Sequence, residues 1–474
     1  MKRSMTRILV GVGGMLVILL ATLPPSSAGQ QGSSLKTRTP TCDSKYKKKT
    51  IPSNVLKDIL RSHEQWLEDR EAPGGSRGNL CQADLHGAKL VGANLERIRL
   101  EGAVLRGATL RHSSFLQASL AGADLTNANL EDASLGGADL RHATLTHANL
   151  AKAEGEEAAL YSATLIGAQL RESTFERAHF EEADLQSADL RSANLTDTYF
   201  YGASLYRAIL SGADLLGADL RRTNLTNATL HQASLQGVLL DRAQLAGARM
   251  TGADLEGAYL DEANLTNGNL QEALLRGADL RFTNLESASF QQADLEGVNF
   301  EGARLIKTNL RTANLRKAIL YHTILDGADF REARLHNAIL IGARGTGTIF
   351  TKANMSDIYA PRVALHKAQL NDATLESANL VGADLSGSNL SYANLTDTNL
   401  QEANLRGATL SGANLSGAQF HDADLHQTKL YGANLSSVSG LTQAQLNTAC
   451  LDEQTKLPAE LSRPAACPAA KSKH

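Results

Sequence analysis

The sequence predicts an all-β fold, a solenoid of stacked coils, and two observations carry this prediction. The first is a strict period of five, because the stretch LQASLAGADLTNANLEDASL (116–135) has leucine at every fifth position and alanine two places before each leucine. The second is composition, since aromatic residues make up only 4% of the chain, too few for a core of mixed large side chains. A period of five fits neither an α-helix nor a long strand.

The repeat extends from Leu80 to Leu435 without a change of phase. Of the 72 residues in this interval whose numbers are divisible by five, here called centres, 67 are Leu or Phe, and alanine occupies 54 of the 72 positions two residues earlier. In a short extended segment alternate residues point the same way, so we expect both positions to face inward. Asn or Asp before the centre and Gly, Ser, Arg, Glu or Thr after it suit a polar face and a turn. The five other centres are Gly155, Met250, Gly345, Met355 and Ala360.

The tandem pattern A-[D/N]-L-x-x, as in AGADL, TNANL and SGANL, resembles the pentapeptide-repeat family. The resemblance covers about three quarters of the chain, from 80 to 435. It implies a right-handed quadrilateral β-helix with four pentads in each coil. The 72 pentads would then form 18 coils, and at about 4.8 Å per layer the solenoid would be roughly 86 Å long.

Residues 1–28 have the features of a secretory signal peptide. Three basic residues precede an apolar run (8–23), which is short for a membrane span, and Ser26 with Ala28 forms a small-x-small cleavage site. We therefore expect an exported protein of the periplasm or cell surface, without stable membrane insertion after cleavage. An uncleaved segment that anchors the chain in the inner membrane is the alternative.

Solenoid ends need caps, because an open end exposes apolar surface and unpaired backbone. Segment 51–79 predicts an N-terminal capping helix with Ser53 as its N-cap. Segment 436–456 predicts a C-terminal capping helix that begins with a capping box, Thr442 with Gln445. The first helix would bury one face formed by Val55, Leu56, Ile59, Leu60, Trp66 and Leu67, and the second would bury Leu446 and Ala449.

The flanking segments 29–50 and 457–474 are expected to be loose, the first because it is basic and polar and the second because it is rich in Pro and Ala. The run KYKKK (45–49) is typical of a solvated tether, and contact with anionic envelope polymers is the alternative. The repeat itself is mildly acidic, since 80–435 holds 30 Lys and Arg against 41 Asp and Glu.

Four cysteines lie at the ends of the repeat or beyond them: Cys42, Cys81, Cys450 and Cys467. An even number in an exported chain predicts two disulfides, and no Cys-x-x-Cys spacing suggests a metal or redox site. In an 18-coil solenoid Cys81 lies in the first coil and Cys450 beyond the last, too far apart to be bridged. Pairing Cys42 with Cys81 and Cys450 with Cys467 is the economical choice.

No catalytic or cofactor-binding arrangement is predicted. Residues twenty apart should stack, and the thirteen histidines form no stacked pair. The stretch GARGTGT (342–348) lacks the strand and helix that flank a phosphate-binding loop. Gly155 and the irregular stretch 343–363 predict local bulges in the coil, with binding notches as the alternative.

The most informative surface signal is apolar and lies beside the centres divisible by twenty, which should share one side of the solenoid. A protein contact surface there, including one for self-association, is the functional interpretation. The alternative is that Tyr and Ile simply suit outward strand positions. The candidate residues are Tyr161, Tyr199, Tyr201, Leu239, Tyr259, Ile319, Tyr321, Ile339, Ile341 and Tyr359.

The sequence therefore predicts a non-catalytic, exported scaffold or protein-interaction module with an unidentified protein partner. Some members of the family it resembles inhibit gyrase, a type II topoisomerase, by presenting an acidic, DNA-like solenoid. The export signal counts against that role here, as does a net charge of about −11 over the repeat, which is sparse beside a duplex with one charge per about 1.7 Å. No basic face with interleaved aromatic residues predicts nucleic-acid binding. A structural filler without a partner is a further alternative.

Overall fold

The structure is a computed structural model that describes residues 42–71, 73–464 and 467. The predicted signal peptide (1–28) and the first part of the predicted basic segment lie outside the described residues.

Backbone pairing shows that each coil takes twenty residues, or four pentads. Parallel bridges join residues twenty apart, without a shift, from Asn79–Arg99 to Gln419–Ser439. Each extended segment is reduced to the single bridging residue before a centre. At one such position Asp139 N–H donates to Ala118 O at 2.9 Å, and Leu120 N–H donates to Asp139 O at 2.7 Å. The centres consequently fall into four columns, one for each side of the solenoid.

A left-handed residue closes every corner between sides. Every residue whose number ends in 2 or 7 has positive φ, from Gln82 to Gly432. Glycine meets this requirement without a steric penalty, and most other residues there are polar. The Asn or Asp before the centre commonly accepts a hydrogen bond from the backbone two residues later, as Asn129 Oδ1 does from Glu131 N–H at 3.1 Å. This turn explains why Asn and Asp recur in the repeat.

The core is formed by the centres and by the residues two places before them, as predicted. These positions are almost entirely buried along the solenoid. Phenylalanine centres stack between coils, with ring centroids 5.0 Å apart for Phe180 and Phe200. Where Thr or Ser replaces alanine, its hydroxyl donates to a backbone carbonyl, as Thr198 Oγ1 does to Phe175 O at 2.9 Å. The buried hydroxyls at these positions therefore keep hydrogen-bond partners.

The bulges predicted at Gly155 and in 343–363 are absent, so that prediction was wrong. The twenty-residue pairing continues through both places. The ring of Phe175, one coil later, occupies the space beside Gly155, and a Cβ there would lie 2.1 Å from Phe175 Cε1. At Gly345 a Cβ would lie 2.4 Å from Thr348 Oγ1. A neighbouring side chain thus fills each gap, and the backbone has no reason to deform.

Helix α1 (Ser53–Glu68) lies at the front of the solenoid and buries Leu56 and His63. Ser53 is the first residue of the helix and not its N-cap, so that prediction was wrong. Pro52 holds the cap position, without a side-chain hydrogen bond. The helix ends at Glu68, before the end of the predicted capping segment, and the backbone of Asn79 already pairs with Arg99 of the solenoid.

Residues 42–50 are not loose, which corrects the expectation of a flexible segment up to residue 50. Lys48 N–H donates to Gln82 O at 2.7 Å, and Asp84 N–H donates to Lys49 O at 3.0 Å. Part of the KYKKK run therefore pairs with the edge of the first coil instead of forming a solvated tether.

The back of the solenoid is closed by α2 (Gln443–Leu446), a single helical turn within the segment 436–456 that was predicted to form a short capping helix. The predicted capping box is confirmed, with Thr442 and Gln445 bonded reciprocally. Gln445 Nε2 also donates to Phe420 O at 2.8 Å and to Ala423 O at 2.9 Å. Its amide therefore satisfies two carbonyls at the end of the solenoid. Leu446 and Ala449 are buried, as predicted.

The parallel ladder continues beyond residue 435, the predicted end of the repeat. Lys429 bridges to Cys450, and Asn434 bridges to Lys456, so the C-terminal segment adds strand pairing as well as a helix. The first part of the tail predicted to be loose is attached as far as Ser462, whose N–H donates to Gln443 Oε1 of α2 at 2.9 Å.

Two disulfides fasten the two ends, and they are the pairs that the sequence favours. Cys42 is joined to Cys81, with Cα atoms 5.7 Å apart, and Cys450 to Cys467, with Cα atoms 4.4 Å apart. Neither α1 nor α2, the helices of the described residues, has the length and hydrophobicity needed to cross a membrane.

Candidate protein-interaction surface

The ten candidate residues lie on one side of the solenoid, here called the tyrosine side and defined by the centres divisible by twenty. Parallel bridges link the residue before each of these centres to its equivalent in the next coil, as in Tyr199–Asp219–Leu239–Tyr259 and Ile319–Ile339–Tyr359. The residue after each centre also points outward, beside the residue before it. Each coil therefore offers two outward side chains on this side, one before and one after the centre.

Four of the six candidate tyrosines on this side are exposed, and the other candidate residues are half-buried. Tyr259 is 50% exposed and Tyr359 is 40% exposed, and Tyr199 and Tyr201 are also exposed. Tyr161, Tyr321, Leu239 and the three isoleucines are half-buried. The apolar patch formed by Ile319, Tyr321, Ile339, Ile341 and Tyr359 covers three successive coils, as the sequence predicts.

An aromatic stack lies at the first candidate residues of the tyrosine side and includes His179, which was not predicted from the sequence. The His179 ring lies between those of Tyr161 and Tyr199, with centroid distances of 5.0 and 4.7 Å. Tyr161 Oη is 2.7 Å from His179 Nδ1, and Glu181 Oε1 is 3.1 Å from the same nitrogen. Burial, reinforced by Glu181, raises the pKa of the Tyr161 hydroxyl. The rings stack along the solenoid axis, so their edges face outward.

Aspartate–arginine pairs flank the aromatic residues. On the coil centred at 220, Arg221 Nη2 is 2.5 Å from Asp219 Oδ2, and the hydrogen bond to Asp219 raises the pKa of Arg221. The guanidinium carbons of Arg221 and Arg222 lie 5.9 and 5.8 Å from the centroid of the Tyr201 ring. In this region arginine therefore forms an ion pair with an aspartate and a cation–π contact with a tyrosine ring.

The carboxylates of Asp241 and Asp261, in the middle of this side, have raised pKa values. Burial is the main cause for both, and the negative charge of Asp279 adds to it. The negative charge of Asp261 also raises the pKa of Asp241, and Arg221 lowers it. Arg281 lowers the pKa of Asp261. These two carboxylates therefore take up a proton at a higher pH than an ordinary aspartate does.

The charged residues and His179 could have been found from the two outward positions that flank each centre. The candidate residues were the apolar ones beside centres divisible by twenty, and the charged residues beside the same centres were left out. Reading the residues before and after each centre as a pair would have shown the Asp–Arg pairs and His179 with Glu181.

A groove lies elsewhere, near the front of the solenoid. It has a volume of about 980 Å³ and is lined by Lys47, Lys48, Gln82, Asp84, His86, Gly102, Val104 and Arg106. The tyrosine side instead presents exposed and half-buried apolar side chains, of the kind that protein partners cover. Among the residues that the structure describes, no group of three or more His, Cys, Asp or Glu is arranged to hold a metal ion.

Comparison with known proteins gives one family match. The model of pentapeptide repeats (8 copies) matches overlapping segments that together span 76–359 and 368–436. No curated protein matches the chain.

Several solved structures are similar to parts of the chain. HetL, a pentapeptide repeat protein involved in heterocyst differentiation regulation from the cyanobacterium Nostoc sp. strain PCC 7120, is 32% identical, covers 50% of this chain and 88% of its own, and has a TM-score of 0.21. Rfr23 from the cyanobacterium Cyanothece 51142 is 34% identical over 22% of this chain and 58% of its own, with a TM-score of 0.16. QnrB1, a plasmid-mediated fluoroquinolone resistance protein, is 20% identical over 39% of this chain and 86% of its own, with a TM-score of 0.21.

Proposed function

Since the chain belongs to the pentapeptide-repeat family, we propose that it is an exported, non-catalytic scaffold that binds protein through the tyrosine side of a right-handed, four-sided β-solenoid. The observation that carries the proposal is the concentration of apolar side chains on this one side. Tyrosine and isoleucine there are exposed or half-buried although the core is already filled. Apolar surface of this kind gains stability when a partner removes it from water.

Rigidity supports the scaffold role. Each coil contacts only its neighbours through an unbroken ladder, so positions along the tyrosine side are held at fixed separations. The coils centred at 160 and 360, which hold the first and last candidate residues, are ten coil spacings apart, or roughly 48 Å at about 4.8 Å per layer. A partner would therefore meet a preorganised surface and lose little affinity to ordering it.

Export rests on two independent features. The first 28 residues have the signal-peptide pattern, and both described ends of the solenoid carry a disulfide, a bond that persists in oxidising compartments. A fusion of alkaline phosphatase after residue 79 tests this directly, because that enzyme is active only after export. We expect activity, and an inactive but intact fusion would contradict export.

The binding surface is tested by replacing Ile339 with Asp and Tyr359 with Lys and then crosslinking in native envelopes. We expect crosslinked partners to be lost, because charge on both sides of the patch opposes its desolvation. The matched control is Ile324→Asp with Tyr206→Lys, two half-buried residues on another side. An unchanged crosslinking pattern in the first variant would reject the role of the tyrosine side.

A second candidate function is an acidic mimic of DNA that acts on a type II topoisomerase. The side with centres at 95, 115 and every twenty residues thereafter favours it, since between 94 and 437 it carries 14 acidic against 6 basic residues. This candidate needs the product to remain in the cytoplasm, so the phosphatase fusion separates it from the first.

A further inference from the structure

The outward residues of the tyrosine side form pairs with a consistent order. On three coils the residue before the centre is Asp and the residue after it is Arg: 139 with 141, 219 with 221, and 279 with 281. Each pair is joined within the chain, with Nη2–Oδ2 distances of 2.7, 2.5 and 2.7 Å. Three other coils have two apolar residues in these positions, Tyr199 with Tyr201, Ile319 with Tyr321, and Ile339 with Ile341.

This order is self-complementary under one particular symmetry. If a second copy is related by a two-fold axis parallel to the solenoid axis, the tyrosine sides meet face to face and each coil lies opposite its own equivalent. The rotation reverses the strand direction, so the residue before each centre lies opposite the residue after the same centre in the other copy. Asp219 then faces Arg221 of the second copy, and Ile339 faces Ile341.

The antiparallel arrangement lacks this complementarity. A two-fold axis along the strand direction places residues before a centre opposite residues before another centre. Because all three pairs have Asp first and Arg second, any register that aligns two of these coils would set Asp against Asp and Arg against Arg. Like charges held opposite one another disfavour that arrangement.

The other three sides do not combine both features. The side with centres at 190 and 330 has two Asp–Arg pairs, Asp189 with Arg191 and Asp329 with Arg331. None of the three has a coil between 80 and 435 on which both outward positions flanking the centre hold Tyr, Ile, Leu or Val. Charge pairs and apolar pairs occur together only on the tyrosine side, which therefore matches a second copy best.

We propose that the chain forms a parallel, in-register homodimer through the tyrosine side, from about coil 140 to coil 360. The inference rests on the proposed function only in taking this side as the contact surface. Twelve coils present a strip about 53 Å long at about 4.8 Å per layer. Asp–Arg pairs of the two copies would form rings of four alternating charges on three coils, and apolar pairs would close three others. On the coils at 240 and 260, Leu239 and Tyr259 face Asp241 and Asp261, which is the least favourable part of the contact.

Exchange of the charges within each pair gives a sharp test. In one variant Asp139, Asp219 and Asp279 become Arg while Arg141, Arg221 and Arg281 become Asp. Each chain keeps an ion pair on the same coil, and two such chains still place opposite charges face to face. A variant chain beside a wild-type chain, however, sets Asp against Asp and Arg against Arg on three coils.

The experiment mixes differently tagged wild-type and variant chains and measures heterodimers by affinity capture and light scattering. We expect both proteins to be dimers alone, and heterodimers to fall from the statistical share of about one half to below about one tenth. The matched control exchanges Asp189 with Arg191 and Asp329 with Arg331 on another side, and should mix freely with wild type. Circular dichroism and thermal unfolding verify that each variant is folded.

Three results would overturn the inference: a monomeric wild-type protein at micromolar concentration, free mixing of the exchanged variant, or a control variant that mixes as poorly. None of these removes the proposed function. A monomer whose tyrosine side still crosslinks to an envelope protein would retain that function while the dimer is rejected. Loss of all crosslinking to this side, with a monomeric protein, would reject both.

Discussion

Gly155 and Phe175 show how one residue of the repeat depends on another in the next coil. Both are centres of the same side, and the phenyl ring occupies the volume that a leucine at 155 would fill. A smaller residue in one coil and a larger one in the next keep the column filled, because cores tolerate exchanges that conserve volume. The glycine thus matches its neighbour and leaves no notch.

Gly155→Ala is expected to destabilise the protein by about 1–3 kcal/mol, because its Cβ would overlap the ring of Phe175 and force the core to shift. Adding Phe175→Leu should recover most of the loss, so that the double variant is more stable than the sum of the single effects implies. Chemical denaturation of the four proteins measures this. Gly136→Ala is the control, since its Cβ would meet a side-chain methyl of Leu116 at 3.1 Å. Additive effects at 155 and 175 would contradict the pairing.

At the scale of elements, the two caps close the solenoid by different means. Helix α1 is attached through His63, whose Nδ1 accepts from Gly78 N–H at 3.1 Å and whose Nε2 lies 3.0 Å from Glu96 O. The ring therefore has to be neutral, with its proton on Nε2. Turn α2 is attached through the amide of Gln445, which donates to two carbonyls of the last coil. The side chain that attaches α1 is therefore titratable, whereas the amide that attaches α2 is not.

The front cap is expected to loosen in mild acid. Burial is the largest cause that lowers the pKa of His63 below its usual 6.5, and Arg77 acts in the same direction against Glu64 and Glu96. Because folding lowers this pKa, the stabilisation is complete above pH 6.5 and is lost as the pH falls from there through the folded-state pKa. Trp66, the single tryptophan, stacks on His63 with centroids 5.7 Å apart, so its fluorescence should report the transition.

His63→Gln supplies an uncharged donor and acceptor and should remove the transition in that pH range, whereas His86→Gln, at an exposed histidine, should leave it in place. An unaltered fluorescence titration in the His63→Gln protein would rule out His63 as the titrating group.

The back cap is expected to depend on the donor capacity of Gln445. Gln445→Glu keeps the shape but removes two donated hydrogen bonds and places a carboxylate against two carbonyls, with a cost of about 2–4 kcal/mol of local stability. Hydrogen exchange of amides in the last coil should accelerate accordingly. The matched change Gln454→Glu, at an exposed glutamine of the same C-terminal segment, should have a small effect. Equal exchange rates in the two variants would contradict the capping role.

The sequence predicted the elements whose cause is local and repeated, and missed those whose cause lies one coil away. Leucine centres, inward alanines and the Thr442–Gln445 box depend on neighbours within a few residues. The filling of Gly155 by Phe175 and the anchoring of His63 to Gly78 and Glu96 depend on residues 15 to 33 positions away. Likewise, the candidate tyrosine side was identified once residues were compared at intervals of twenty, but its charged residues were overlooked because only apolar ones were compared.

For the whole molecule, the main consequence of the pentad repeat is that the solenoid can keep its fold while the residues on each of its sides change. Every pentad offers the core an equivalent pair of inward residues, so the solenoid accepts the removal of whole pentads. What removal changes is the side on which all later residues lie. Five residues rotate the rest of the chain by one side, ten by two, and twenty by a complete coil.

Deletion of 286–295 should therefore preserve the solenoid but move Ile319, Ile339 and Tyr359 to the side opposite Tyr199 and Tyr259. Deletion of 286–305 removes a complete coil and leaves all of them on one side. Circular dichroism should show both proteins folded. We expect self-association measured by sedimentation to weaken at least about tenfold in the ten-residue deletion, a loss of about 1.4 kcal/mol, and to change much less in the longer one. If the shorter deletion associated as the intact protein does, a continuous contact along one side would be excluded.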